Sequence, residues 1–217
     1  TTVGLLTGML PPTSGNMQIL GFDLSTDPIE VKKRIGVMPE HLALFDQLTG
    51  QEHLTFVGKI YGLHKTDIEQ RREELLSIFD LESAAHRLIH EYSQGMKKKL
   101  AFEAAIMHEP KILFLDEPFE NVDPVSRKVM KEILNTMRKK CATIFLTSHA
   151  LETVESLCDE VAIINKGKLV FQAKTEDIRK KIKDEVSQET YKSLEEIFLA
   201  VVSGNGEDRT PKKLSWL

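Results

Sequence analysis

The sequence predicts an α/β fold, a mostly parallel sheet with an α-helical subdomain inserted into it. Two observations carry that prediction. Ile112-Leu113-Phe114-Leu115 is a run of large apolar residues with no polar alternation, which suits a strand buried on both faces, as in a parallel sheet. Residues 49–108 read as helical and separate that run from an earlier apolar strand at residues 35–39. The later run ends in Asp116 and Glu117, at the strand edge where open α/β sheets place their ligands.

Composition narrows the class. A chain of 217 residues can build one sizeable domain with a subdomain. Hydrophobic residues at 41% and charged ones at 29% are ordinary for a globular protein. The net charge of -4 gives no reason to expect a nucleic-acid partner. No apolar run approaches the ~20 residues of a membrane-spanning helix, and no signal-peptide pattern opens the chain. Any membrane link therefore runs through a partner. Cys141 and Cys158 stand beside apolar segments and read as buried, reduced thiols. Lys97-Lys98-Lys99 and Lys139-Lys140 read as solvated helix faces.

The elements follow in order. Residues 1–10 have the pattern of an apolar helix, and Pro11-Pro12-Thr13-Ser14-Gly15 is a turn cluster. A short strand is expected at residues 16–20, a short helix at 27–33, and the strand at 35–39 is followed by Glu40. Thr66-Asp67-Ile68-Glu69 has capping-box spacing, and Ile68, Leu75, Leu76 and Phe79 give the helix behind it an apolar face. Leu42, Leu44, Phe45, Leu54, Phe56 and Tyr61 are expected to be mostly core. Tyr92-Ser93-Gln94-Gly95-Met96 is a polar turn feeding a helix over 97–108. Ser93 offers a hydroxyl there, Gly95 lets backbone approach a ligand, and the helix N-terminus favours an anion.

Asp123-Pro124 is a helix start, an N-cap followed by proline. Val125, Val129, Ile133 and Met137 share one face, predicted to cover the sheet. Strands follow at 142–146 and 160–164, and Asn165-Lys166-Gly167-Lys168 turns the chain into a hairpin strand at 169–171. Ser193-Leu194-Glu195-Glu196 starts a last helix, whose stripe of Leu194, Ile197, Phe198 and Val201 is expected to pack on the domain. Residues 203–217 are polar and expected to be disordered.

Adjacent carboxylates at a strand end invite division of labour. Asp116 can hold a magnesium ion, which is usually bound by one or two carboxylates plus substrate phosphates. Glu117 can orient or deprotonate a water attacking a terminal phosphate. An acidic pair that merely opens a solvated loop is the competing reading.

The order of motifs decides more than the pair. The chain runs Tyr92-Ser93-Gln94-Gly95, Phe114-Leu115-Asp116-Glu117-Pro118, Asn121-Val122-Asp123-Pro124, then Leu146-Thr147-Ser148-His149. This resembles the nucleotide-binding subunit of ATP-binding cassette (ABC) transporters, with signature motif, Walker B strand, D-loop and switch histidine in sequence. The resemblance covers residues 1 to about 175 and extends to the C-terminal extension, where Leu194-Glu195-Glu196-Ile197-Phe198-Leu199 is similar to the tail of subunits paired with ABC-2-type exporters.

That resemblance implies a P-loop NTPase (RecA-like) core at 1–48 and 109–175, a helical signature subdomain at 49–108 and an extension at 176–217. ATP and Mg2+ are the implied ligands. Glu117 and His149 would be catalytic, Asp116 and Glu40 would face the metal, and Ser93, Gln94, Gly95 and Asp123 would meet nucleotide held by a second ABC ATPase subunit, in a homo- or heterodimer. Glu40 stands where the family often has glutamine. Tyr92, Gln94 and Met96 replace the commonest Leu, Gly and Gln of the signature. The implied partner is a transmembrane permease, which would hold the subunit at the cytoplasmic face of the membrane. The phosphate-binding loop G-x-x-x-x-G-K-[ST] would end one place before Thr1, so the sequence is expected to be N-terminally truncated and inactive alone. A degenerate cassette supplying only its signature face to a partner's ATP is the alternative.

Overall fold

The computed structural model describes residues 1–178 and 194–203. They fall into two compact units, Thr1–Thr147 and Ser148–Leu217. In the first, three parallel strands stand in the order β3 (Ile35–Met38), β4 (Ile112–Asp116), β5 (Thr143–Thr147). Leu113, Phe114 and Leu115 are all buried, because the central strand is covered on both faces. Ahead of the sheet come α1 (Thr2–Leu6), a hairpin of β1 (Gln18–Ile19) and β2 (Phe22–Asp23), and α2 (Pro28–Lys32). Val3, Ile19, Leu24 and Val31 from these pieces pack with Ile35 and Phe114 of the sheet. The single strand expected at 16–20 is thus two short ones. Leu20 and Gly21 take φ of 52° and 82°, the pair of positive angles a tight hairpin turn needs.

Between β3 and β4 the chain passes through α3 (Gly50–Ile60), α4 (Lys65–Ile78) and α5 (Gln94–Ile106). The capping box belongs to α3, not α4. The Thr49 hydroxyl accepts from the Glu52 N–H, and the Glu52 carboxylate accepts from the Thr49 N–H. Thr66 lies inside α4, which begins after His64 without a side-chain cap. The same spacing occurs at both sites, but Thr49 is itself the extended residue before its helix, whereas before α4 that residue is His64 and Thr66 is already helical. Of the six apolar residues expected to be mostly core, only Leu54 is fully buried, while Phe45 and Phe56 are 52% and 38% exposed and meet edge to face.

After β4 comes α6 (Pro124–Lys139), packed on β5. Its buried face is Ser126, Met130 and Leu134, one position round from the expected stripe. Val125 is exposed, and Val129, Ile133 and Met137 line an open groove with Leu75 and Ile78. The small Ser126 side chain faces inward at the start of the helix, where Val125 would be larger. Cys141 is exposed with φ 65°, against expectation, because it ends the helix in the left-handed conformation. Cys158 is half-buried, and burial pushes its thiol pKa up.

The second unit contains α7 (Leu151–Leu157) and an antiparallel hairpin of β6 (Glu160–Asn165) and β7 (Lys168–Lys174). Lys166 and Gly167 form its turn with φ of 48° and 76°. The last helix, α8 (Leu194–Ser203), buries Leu194 and Ile197 with Val161, Ile163, Ala173 and Ile178. Phe198 and Val201 pack partly against that cluster, so the stripe is a packing face. The helix runs on through Ser203, while Ser193 and residues 204–217 lie outside the described residues. Among the described residues no helix is long and apolar enough to cross a membrane.

Candidate functional site

The site is built at the C-terminal ends of β4 and β5. Parallel register sets Asp116 opposite Thr147. The Thr147 hydroxyl donates to the Asp116 carboxylate and accepts from the Glu117 N–H at 3.2 Å. One hydroxyl supplies both, having one donor and two acceptor lone pairs. Thr147 was not singled out from sequence. Its signal was the paired ends of two parallel strands, which put residues 31 positions apart side by side.

Glu117 has φ 49°, in the left-handed region that a side chain occupies at a cost on the order of 1–2 kcal/mol. Its carbonyl accepts from the Lys98 ammonium at 2.8 Å and from the Glu120 N–H at 3.4 Å. Lys98 is only 6% exposed. Lys97 pairs with Asp46 at 3.1 Å, and Lys99 donates to the Phe79 carbonyl at 2.7 Å. The lysine run is therefore not a solvated face. It fastens α5 to three different neighbours.

At the other end of this contact lies the turn opening α5. Ser93 is the N-cap, its hydroxyl accepting from the Met96 N–H at 3.2 Å. The helix thus begins at Gln94, three residues before its expected start at 97. Ser93 and Gln94 are exposed and Gly95 is half-buried. A Cβ on Gly95 would stand 3.0 Å from the Asn121 carbonyl, so glycine allows the loop after β4 to lie against the turn. Tyr92 is buried and donates to the Ala84 carbonyl at 2.7 Å. A Cβ on Gly50 would come within 2.3 Å of the Tyr92 hydroxyl, so Tyr92 is an internal anchor.

Asp123 caps α6, accepting from the Ser126 N–H at 2.9 Å. Hydrogen bonds from the Ser126 hydroxyl and N–H hold its carboxyl below the usual carboxylate range. Glu40 is exposed just past β3, whose Met38 pairs with Leu115, so it shares the sheet edge with Asp116. His149 is exposed and belongs to the Ser148–Leu217 unit. Asp116, Glu117, Thr147 and Lys98 are thus joined directly, with Gly95 against the loop that carries Asp123.

Among the described residues no cluster of three or more His, Cys, Asp or Glu could hold a metal. One oriented carboxylate at a strand end suits magnesium, which keeps several waters and leans on substrate phosphates.

A family model described as "ABC transporter" matches residues 1–120. The linearmycin resistance ATP-binding protein LnrL of Bacillus subtilis is 34% identical over 203 residues, which are 93% of this chain and 65% of that protein. The ABC transporter ATP-binding protein NatA of the same organism is 32% identical, over 82% of this chain and 73% of its own length. A solved structure described as the ATP binding subunit of an ABC transporter superposes with TM-score 0.83 at 30% identity, covering 91% of this chain and 80% of that one.

Proposed function

The chain belongs to the ABC transporter family, and from that premise we propose that it is the ATP-hydrolysing subunit of an exporter, driving a separate membrane permease. The family itself implies nucleotide binding and ATP hydrolysis. The resistance role in the name of LnrL supports the export direction. The arrangement that carries the reading is the Asp116–Thr147–Glu117 linkage at the end of the central buried strand.

In this reading Asp116 and Glu40 face a magnesium ion, which when bound offsets charge on the phosphate oxygens. The Thr147 hydroxyl fixes the rotation of the Asp116 carboxylate. Glu117 orients the attacking water and takes its proton, a role worth roughly 10²–10⁴ in rate. His149 contacts the terminal phosphate. Ser93, Gln94 and Gly95, with Asp123 behind them, present an exposed turn to nucleotide held by a second subunit. Exposed Phe45 and Phe56 offer the helical insertion an apolar contact for the permease, which would keep the subunit at the cytoplasmic face of the membrane.

Glu117→Gln in the full-length subunit tests this directly, since it keeps the side chain's size and removes its basicity. ATP binding is expected to persist while hydrolysis falls by about 10²-fold or more. Unchanged steady-state turnover would show that Glu117 is not the base.

A further inference from the structure

We propose that Lys98 is a positioning residue, which ties the placement of Glu117 to the helix carrying the exposed Ser93 turn. The inference rests on the proposed ATPase reading and extends it to a buried residue outside the groups proposed to face nucleotide. Its basis is a clamp on one residue, whose two flanking peptide groups are each held by a hydrogen bond. The Glu117 N–H is taken by Thr147 Oγ1 at 3.2 Å, and the Glu117 carbonyl is taken by Lys98 Nζ at 2.8 Å. Between those two bonds the backbone sits at φ 49°, a conformation that persists only where surroundings hold it. Thr147 comes from β5 and Lys98 from α5, so two independent elements hold the residue from opposite ends.

Lys98 is the stronger half of the clamp. A buried ammonium bonded to a carbonyl is a charge-assisted contact, roughly twice as strong as a neutral one. Its side chain is 6% exposed, which leaves it little room to swing elsewhere. The helix it stands on begins one turn earlier, at the Ser93 cap, where Gly95 meets the Asn121 carbonyl. Two contacts thus join the first turn and a half of α5 to the loop 117–123. A displacement of α5 by a ligand at the Ser93 turn is transmitted to Glu117 through the Lys98 bond. Engagement of the turn by the other subunit's nucleotide then readies the base in the subunit that owns the turn.

The experiment compares Lys98→Met, which keeps length and apolar stem but cannot donate, with Lys98→Arg, which can. Both are made in the full-length subunit assembled with its permease. Lys98→Met is expected to lower kcat by about 10–100-fold, the scale of a misplaced catalytic group, with KM for ATP unchanged within about twofold. Lys98→Arg should recover most of the loss. In the nucleotide-free subunit, amide exchange across residues 117–123 should speed up in Lys98→Met while α3 and α4 keep their protection. Lys98→Met combined with Glu117→Gln should be no slower than Glu117→Gln alone. A normal kcat in Lys98→Met, with Glu117→Gln inactive, would overturn the role of Lys98 and leave the ATPase reading intact. Unchanged turnover in Glu117→Gln would show instead that Glu117 is not the base and remove the target of the clamp, while no ATP turnover by the native full-length subunit would sink the ATPase reading. Faster exchange throughout the helices would reduce Lys98 to a fold-stabilising residue and overturn the proposal too.

Discussion

Glu103 is fully buried on α5, and neither carboxyl oxygen has a hydrogen-bond partner among the described residues. Burial raises its pKa well above 4.5, with Lys99 pulling weakly the other way. The consequence for stability has a definite sign. Below pH 4.5 folded and unfolded chains both hold the proton; above it the unfolded chain releases it and the folded chain does not. Stability contributed by this group is therefore lost as pH rises. Glu103→Gln has no proton to lose, so its melting temperature relative to the native protein should climb between about pH 4.5 and pH 8. A difference independent of pH would mean that Glu103 ionises in place. His108 runs oppositely: burial lowers its pKa to about 4, so its share of stability is lost as pH falls from 6.5 toward that value. Glu103 and His108 lie on and just past the same helix, so the profile must be read as a difference between variant and parent.

At the scale of elements, the helix–strand contact between α5 and β3 leaves no room for a side chain. A Cβ on Gly36 would stand 2.1 Å from the Ala105 carbonyl, 2.8 Å from Leu113 Cδ1 and 2.9 Å from Pro110 Cγ. The nearest of these is backbone, which cannot rotate away. Just beyond, His108 Nε2 bonds the Ile35 carbonyl at 3.0 Å while its ring stacks on Tyr61 at 3.5 Å. Gly36→Ala should therefore force α5 off the strand and cost about 1–3 kcal/mol. Urea unfolding would register this as a lower midpoint at unchanged slope. An unshifted midpoint would show that the helix slides freely on the sheet. Spacing alone did not reveal this contact, because Gly36 reads as one more small residue inside an apolar strand.

For the whole molecule, the Ser93 turn and the Asp116 strand end are proposed to serve different nucleotides. Ser93→Arg should disable the turn offered to the other subunit, and Asp116→Ala should disable the metal side of the subunit's own site. Full-length subunits are needed, since residues 1–217 contain no glycine-rich lysine loop of the G-x-x-x-x-G-K-[ST] kind. Mixed in equal amounts, the two variants should regain up to about a quarter of native ATPase activity: half of randomly assorted dimers are mixed, and each carries one intact composite site. Each variant alone should stay near background. Normal hydrolysis by Ser93→Arg alone would rule out a site shared between subunits.

What the sequence determined by itself was whatever depends on order along the chain. The unalternating run 112–115 announced a strand covered on both faces, Asp123-Pro124 announced a capped helix, and Lys166-Gly167 announced a hairpin, because each is set by neighbours in sequence. The family, too, was legible in the order of four short motifs. Tertiary structure decided which groups those motifs share. Thr147 reaches Asp116 only through the register of two parallel strands, and Lys98 reaches Glu117 only because α5 packs on β3, the strand paired with β4. Local pattern likewise could not choose Thr49 over Thr66 as the cap, nor Ser126 over Val125 as the inward face of α6. Those choices turn on which backbone goes extended and which surface finds a partner, and a buried bond or a close approach is a relation between segments that spacing does not encode.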